Sequence, residues 1–225
     1  MLRVRIYRCE DYSQSACYAT GGEGGYWLDK EKDQIIEIGA VKFTLIEENA
    51  TIKPKILGKF QTFVKPDLLI PAEATAVNHI TNEMVQNAPD INTCLRKFTG
   101  FCGLDTILVA HNAAFDAGFL QKAYTQNPQL IPANPIIDSL KIVRTIMPEL
   151  PNHKLGNIAE MFKKRNQISM AITPGEMHRA VYDCEMLMEV LVATLRRRIS
   201  KEDWLMQNIL KVLPKYGGIS QSLRK

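Results

Sequence analysis

Two aspartates lie where amphipathic helices normally carry apolar side chains. Asp116 and Asp183 each belong to a stripe of residues spaced three or four apart, the spacing of one helix face. The other members are Phe119, Leu120 and Ala123 in the first stripe, and Ala180, Leu187, Val190 and Leu191 in the second. A carboxylate on a core face costs on the order of several kcal/mol unless a cation or a hydrogen-bond donor meets it. The two acids therefore belong either to structural ion pairs and amide contacts or to a metal site.

A histidine precedes the second aspartate by a short interval. His178 lies five residues before Asp183, and five helical residues turn through about 500°, so the two side chains would point apart if both were helical. We therefore predict that His178 lies in the loop before the helix, where it can face the same site as Asp183. Two inward-facing acids and one histidine favour metal-assisted hydrolysis.

The elements that position these side chains follow from the apolar pattern. Strands are predicted at 34–44, 59–64 and 107–110, and helices from 114 onward and at 139–147, 154–163 and 186–195. An exposed connection through Glu47 and Glu48 is predicted between the first two strands. Thr81 and Asp138 are predicted to cap the helices that follow them. The stretch 165–176 has no periodicity and predicts a loop leading into His178.

Two of these segments carry a resemblance to a known family. VAHNAAFDAGFL (109–120) resembles the second motif of the DEDDh 3′–5′ exonucleases, and HRAVYDCEML (178–187) resembles the third. That superfamily includes the proofreading subunits of replicative polymerases, ribonuclease T and exodeoxyribonuclease X. Three more segments agree with the family in order, namely DQIIEIGAVKF (33–43), VNHITNEMVQNAPDI (77–91) and DSLKIVRTIMPELPNHKLGNIAEMF (138–162). The resemblance covers residues 33–195, and the co-occurrence is more specific than any single motif.

The resemblance implies a fold and a chemistry. The fold would be α/β, with a ribonuclease-H-like mixed sheet flanked by helices. The activity would be metal-dependent 3′–5′ exonuclease cleavage of DNA or RNA, releasing nucleoside monophosphates. Asp116 and Asp183 would hold Mg²⁺ or Mn²⁺ in a two-ion site, and a neutral His178 would take a proton from the attacking water. The implied substrate contacts are Asn78, His79, Ile80, Asn112 and Phe115. The implied partners are a single-stranded 3′ end and a polymerase or another protein.

The first motif of that family, an Asp-x-Glu at the end of the first strand, is not intact here. Asp29-Lys30-Glu31 has the spacing but lies too close to the strand at 34–44 for a separate first strand. A strand at 3–10 would keep only Glu10, and one at 16–21 would keep neither acid. We favour 3–10 because its strand is longer, although it needs a connection through the Gly-rich run 21–25. With Asp116, Asp183 and Glu10 alone, a two-ion site has too few ligands.

The charge of the chain is unevenly distributed. Residues 196–225 carry eight basic and two acidic side chains, a net charge of +6, which leaves −2 for residues 1–195 of a chain at +4. We therefore predict an exonuclease-like domain at 1–195, with an atypical first strand and Gly-rich loop at 1–32, and a basic C-terminal helix or tail at 196–225. A basic tail beside an acidic site suits a polyanionic substrate. The other interpretation is an amphipathic helix docked on the body through Trp204 and Leu205, and the two interpretations can hold together.

Composition limits the remaining possibilities. The chain has 225 residues and 46% hydrophobic residues, which is enough for one domain with its own core. No apolar run is long enough for a membrane span, and no secretory signal is expected. Five cysteines in no regular spacing favour a reduced, cytoplasmic setting, and Cys94 and Cys102 are interpreted as small core residues. Glu37, an acid on an apolar strand, is interpreted as structural, with a place in the cleft as the alternative.

Two other classes of function fit the same sequence. A degenerate family member would bind nucleic acid without cutting it, and a protein-interaction module could use the same fold. The intact second and third motifs favour an enzyme, whereas the missing first motif favours the other two classes.

Overall fold

The computed structural model describes residues 2–8, 34–49, 51–104, 106–132, 134–171, 179–197 and 219–220. Its strands are β1 (Leu2–Arg8), β2 (Ile35–Glu48), β3 (Thr51–Phe63), β4 (Leu108–Ala110), β5 (Ile136–Asp138) and β6 (Ile219–Ser220). Its helices are α1 (Ala72–Asn78), α2 (Asn82–Val85), α3 (Ile91–Cys102), α4 (Ala113–Ala123), α5 (Ser139–Ile146), α6 (Leu155–Lys164) and α7 (Ala180–Arg196). A short 3₁₀ turn occupies Pro128–Leu130.

The strands form one mixed sheet in the order β3-β2-β1-β4-β5-β6. The central strand β1 pairs antiparallel with β2 and parallel with β4, and β4 runs parallel to β5. This arrangement is the predicted mixed α/β sheet. Of the three placements considered for the first strand, the structure has the one near residues 3–10, although the strand spans 2–8. Glu10 follows it by two residues and lies outside the described residues.

The β2–β3 hairpin is longer than the sequence pattern predicted. We expected strands at 34–44 and 59–64 with an exposed connection, but Glu47 and Glu48 lie in β2 and pair with β3. Asn49 adopts a left-handed φ of 52°, which permits a tight turn. Pro54 interrupts the strand pattern of β3, yet β3 is an edge strand, where a missing backbone N–H is tolerated. The prediction of these boundaries was therefore wrong.

Helices cover both faces of the sheet. On one face Val41, Val109 and Ile137 pack against α5, α6 and α7. On the other face Leu108 and Ala110 pack against α3 and α4. Successive residues of a strand point to opposite faces, and β4 alternates between the two cores in this way. The helices that carry Asp116 and Asp183 therefore lie on opposite faces of the sheet.

A third, smaller core joins α1 and α2 to the start of α7. It contains Ile36, Ile70, Ala74, Ile80, Val85 and Ala180. Asn82 fixes the loop before α1, because its side-chain amide accepts from the Ile70 amide at 2.8 Å and donates to the Ile70 carbonyl at 3.1 Å. Thr81 is the N-cap residue of α2, as predicted, although its hydroxyl makes no capping bond to the backbone. The segment 70–85 is thus attached to the helix that carries Asp183.

The cysteines that the structure describes belong to the core. Cys94, Cys102 and Cys184 are buried free thiols, which confirms the interpretation of the first two as small core residues. Burial raises the pKa of Cys102 to about 12, so its thiol stays protonated near neutral pH. Cys9 and Cys17 lie outside the described residues. Nowhere in the described segments is a helix long and apolar enough to span a membrane.

Gly100 offers a simple test of the packing around α3. It lies inside that helix, and a Cβ added to it would meet nothing within 4 Å. Gly100→Ala is expected to raise the free energy of unfolding by about 0.5–1 kcal/mol, because alanine restricts the unfolded chain and favours the helix. Urea denaturation of the two proteins measures the change. A loss of stability would mean that α3 does not extend through residue 100.

Candidate active site

The first aspartate is held by the junction between β4 and α4. Asn112 adopts a left-handed conformation, φ 66° and ψ 57°, that turns the chain from the strand into the helix. Asp138, at the end of the adjacent β5, accepts from the backbone amides of Asn112 at 3.1 Å and Leu140 at 3.0 Å. Asp138 is therefore the predicted N-cap of α5 and also fixes the start of α4. Asp116 follows in the first turn of α4 and is 6% exposed.

His111 braces the same junction. Its Nε2 lies 2.7 Å from the carbonyl oxygen of His153, which can only accept, so Nε2 carries the proton and donates. Its Nδ1 lies 3.0 Å from the Ser139 hydroxyl and, in the neutral ring, accepts from it. His111 thus ties the end of β4 to the start of α5 and to the loop before α6. Its role in the motif is structural.

The second aspartate lies in the first turn of α7. Asp183 is 3% exposed, which confirms that it lies on a core face of its helix. The helix begins at Ala180, and residues 172–178 before it, including His178, lie outside the described residues. The predicted loop position of His178 accordingly stays a prediction.

Both first turns lie at the same end of the sheet. α4 begins just beyond the carboxyl end of β4, which runs parallel to β1. α7 begins at Ala180, whose amide donates to Glu37, and Glu37 is the strand partner of Tyr7 near the carboxyl end of β1. Asp116 and Asp183 therefore approach the carboxyl end of the central strand from its two faces.

Glu37 has a structural role that explains its burial. Its side chain is 0% exposed, and its carboxylate accepts from the Arg179 guanidinium at 2.9 Å, the Ala180 amide at 2.9 Å and the Gln61 side-chain amide at 2.6 Å. The interpretation of Glu37 as structural is thus correct. The sequence pattern did not predict the partners of Glu37. No local pattern links Glu37 to Arg179, because the two residues are 142 positions apart in the chain.

The predicted substrate residues divide into buried and accessible ones. Asn78 and Ile80 are fully buried, and the Asn78 side chain accepts from the Ile80 amide at 2.8 Å. His79 between them is exposed and adopts a left-handed φ of 59°. Asn112 and Phe115 are half-buried at the start of α4, beside Asp116. The side chains of His79, Asn112 and Phe115 are thus at least partly accessible to solvent, whereas those of Asn78 and Ile80 lie in the core.

A cleft of about 270 Å³ opens near the same end of the sheet. It lies between the start of β2, the end of β3 and α4. Its charged lining consists of Lys65 and Lys122 together with Asp67 and Asp90. Balanced charges of this kind do not by themselves select a polyanion.

The described residues do not complete a metal site. Among them, no three His, Cys, Asp or Glu side chains are grouped so that they could hold a metal ion. Asp116 and Asp183 provide the oxygen atoms that Mg²⁺ and Mn²⁺ prefer, but two carboxylates are too few for a pair of ions. The two carboxylates therefore suit a divalent ion in the type of their ligand atoms, but among the described residues they do not complete a site for one.

Comparison with known sequences identifies similar proteins. The sequence model of the RNase T family, described as exonuclease, matches residues 19–191, from beyond β1 into α7. The PolC-type DNA polymerase III of Bacillus subtilis is 36% identical over 182 residues, and that of Clostridium perfringens is 33% identical over 189 residues. These alignments cover 79% and 84% of this chain but 12% of each relative, so the chain spans about an eighth of the relatives' length.

Solved structures share the fold at low sequence identity. Exonuclease X in complex with 5′-overhanging duplex DNA superposes with a TM-score of 0.55 at 22% identity, covering 89% of this chain and 95% of that one. Exonuclease I of E. coli in its zinc-bound complex with single-stranded DNA gives a TM-score of 0.63 at 14% identity, covering 92% and 42%. A 3′-exonuclease that recognises the 3′ end of a histone mRNA stem-loop gives 0.61 at 16% identity, covering 86% and 80%.

Proposed function

Since this chain belongs to the exonuclease family, within the DEDDh superfamily, we propose that it is an active 3′–5′ exonuclease acting on single-stranded DNA ends. The observation that carries the proposal is the placement of Asp116 and Asp183, two buried acids in the first turns of α4 and α7 at one end of β1. DNA is favoured over RNA because the relatives at 33–36% identity are DNA polymerases. By the same argument the proposed partner is a DNA polymerase.

The proposed chemistry assigns a role to each residue of the site. Asp116 and Asp183, with Glu10 as a third carboxylate, would hold a divalent ion, Mg²⁺ or Mn²⁺. When bound, such an ion lowers the pKa of a water ligand and stabilises charge on the phosphate. His178 takes the proton of the attacking water and must be neutral to do so.

The balance of the reaction fixes its products. The deprotonated water forms a bond to the phosphorus of the terminal phosphodiester. The bond to the 3′ oxygen of the preceding nucleotide breaks, and that oxygen takes up a proton from solvent to become a 3′ hydroxyl. The terminal residue leaves as a nucleoside 5′-monophosphate. His79, Asn112 and Phe115 are the accessible residues proposed to contact that nucleotide, while Asn78 shapes the loop that presents His79.

The test is cleavage of matched single strands of DNA and RNA, labelled at the 5′ end, in Mg²⁺, Mn²⁺ or excess chelator. Stepwise shortening from the 3′ end that requires metal and releases 5′-monophosphates supports the proposal. Faster shortening of RNA would overturn the choice of DNA. Release of internal fragments would overturn exonuclease action.

A binding protein without activity is the second candidate. It is favoured by the first-strand segment, where the Asp-x-Glu motif is missing and the family match begins only at residue 19. In that case the chain would bind the same single strands without shortening them in either metal. A filter-binding measurement beside the cleavage assay separates the two candidates.

The C-terminal segment provides a quantitative prediction. Its charge of +6 is proposed to bind phosphates, and β6 within it pairs with β5, so substitution is a cleaner test than deletion. Replacing the five basic residues 201, 211, 215, 224 and 225 with glutamine is expected to weaken the salt dependence of binding. If about two of the five contact phosphates, the slope of log K against log salt on a single strand becomes less negative by about 1.4. An unchanged slope in a folded variant would assign the segment to packing or to a protein partner.

A further inference from the structure

The first turn of α7 is attached to β2 by a half-buried ion pair that lies next to the proposed site. Glu37 Oε1 accepts from Arg179 Nη2 at 2.9 Å, and Arg179 is the residue just before α7. The Arg179 guanidinium also lies 5.3 Å from the centroid of the Phe63 ring, on the neighbouring strand β3. The guanidinium therefore contacts a carboxylate and an aromatic face at once, which fixes its orientation.

A second contact fixes the backbone of the helix itself. Glu37 Oε2 accepts from the amide of Ala180, the first residue of α7, at 2.9 Å. This amide is one of those at a helix start that have no partner within the helix, and a carboxylate is favoured at the positive end of the helix dipole. One buried carboxylate thus binds both the side chain before the helix and the backbone at its start.

The strand and the helix also approach unusually closely here. A Cβ placed on Gly39 would lie 2.5 Å from the Ala180 Cβ, so only glycine fits at this position of β2. The Cys184 thiol, one turn further along α7, donates to the Gly39 carbonyl at 3.5 Å. The first turn of α7 therefore has little freedom to shift along the strand.

Resting on the function proposed above, we propose that Glu37 and Arg179 are positioning residues that set the place of Asp183 relative to Asp116. Asp183 lies three residues after Ala180 in the same turn, and Asp116 approaches the same end of β1 from the opposite face of the sheet. A carboxylate that must share an ion with a group on another helix needs its own helix fixed. Neither Glu37 nor Arg179 is proposed to touch the substrate or the ion.

The test compares Glu37→Gln, Arg179→Met and Arg179→Lys with a matched control in the full-length protein. Lys59 and Glu185 form a second ion pair between the same hairpin and α7, but a more exposed one, so Glu185→Gln is the control. Glu37→Gln and Arg179→Met are expected to lower kcat about ten- to hundredfold, as for other groups that orient a catalytic ligand. KM should change little, because the lost contacts are not with substrate. Arg179→Lys should restore much of kcat, and Glu185→Gln should match the wild type.

Thermal melting and hydrogen exchange test the proposal further. A Glu37→Gln variant with a lower Tm but an unchanged kcat would show that the ion pair is purely structural. If that variant does not fold, the Tm and kcat of Arg179→Met decide the question in the same way. If the wild type cleaves nothing, the proposed function fails, and hydrogen exchange of the metal-free protein tests the positioning separately. Glu37→Gln should then speed exchange in the first turn of α7 and not in its later turns. Unchanged exchange in that turn would overturn the proposal.

Discussion

Asp183→Asn is expected to reduce kcat by about a thousandfold or more while leaving the fold intact. The loss follows if Asp183 holds the ion, because such an ion contributes several kcal/mol of transition-state stabilisation, and about 1.4 kcal/mol corresponds to a factor of ten. The melting temperature should stay the same or rise, since a neutral amide costs less to bury than a carboxylate at 3% exposure. Single-turnover cleavage and a thermal melt measure the two effects.

Glu185→Gln is the matched control, because Glu185 lies on the same helix only two residues later. Its carboxylate pairs with Lys59, and its side chain is 24% exposed, against 3% for Asp183. A variant Asp183→Asn that unfolds would indicate a structural ion pair instead of a metal ligand. A variant that folds and cleaves at the wild-type rate would remove Asp183 from the mechanism.

Gly39→Ala should produce the largest loss of stability among single methyl additions to β2. The new Cβ would lie 2.5 Å from the Ala180 Cβ, 2.7 Å from the Ala180 carbonyl carbon and 2.8 Å from the Val181 nitrogen. Two of these three atoms belong to the backbone, so the first turn of α7 must move. We expect a loss of about 2–3 kcal/mol in the free energy of unfolding, a fall of roughly 4–12 °C in Tm. Calorimetry checks the shift.

Gly58→Ala is the control for this change. Gly58 lies on the adjacent strand β3, and its added Cβ would come no closer than 3.4 Å to the Phe101 ring, an ordinary contact. Its Tm should stay near that of the wild type. Equal melting of Gly39→Ala and the wild type would contradict the close approach of β2 and α7, and with it the attachment described above.

Helical periodicity predicted those site residues that are polar within an otherwise apolar helix face or that directly precede a helical pattern. Asp116 and Asp183 interrupt apolar stripes, and both are buried in the structure. Asp138 precedes a strong helical pattern and caps it. These features depend on residues close together in sequence, which is why a local pattern is sufficient to find them.

Contacts between distant segments could not be predicted in this way. Glu37 binds Arg179 and Ala180 across more than 140 residues, and no local pattern connects them. The burial of Asn78 and Ile80 depends on the packing of α1 and α2 against Ile36 and Ala180. The length of the β2–β3 hairpin depends on backbone pairing across the turn. Pro54 and Gly58 are unfavourable in strands, so the sequence of β3 considered alone does not predict that the strand extends past them.

The central position of β1 affects how this protein can be shortened. A fragment cut to the limits of the family match, 19–191, would lack β1 although both intact motifs, 109–120 and 178–187, would remain. β2 and β4 would then each expose a row of unpaired backbone amides and carbonyls, the kind of edge that promotes aggregation. β1 also pairs with β4 across about a hundred residues, and such distant pairings form late and slow folding. Expression yield and refolding rate therefore depend on residues 2–8, which lie outside the two intact motifs.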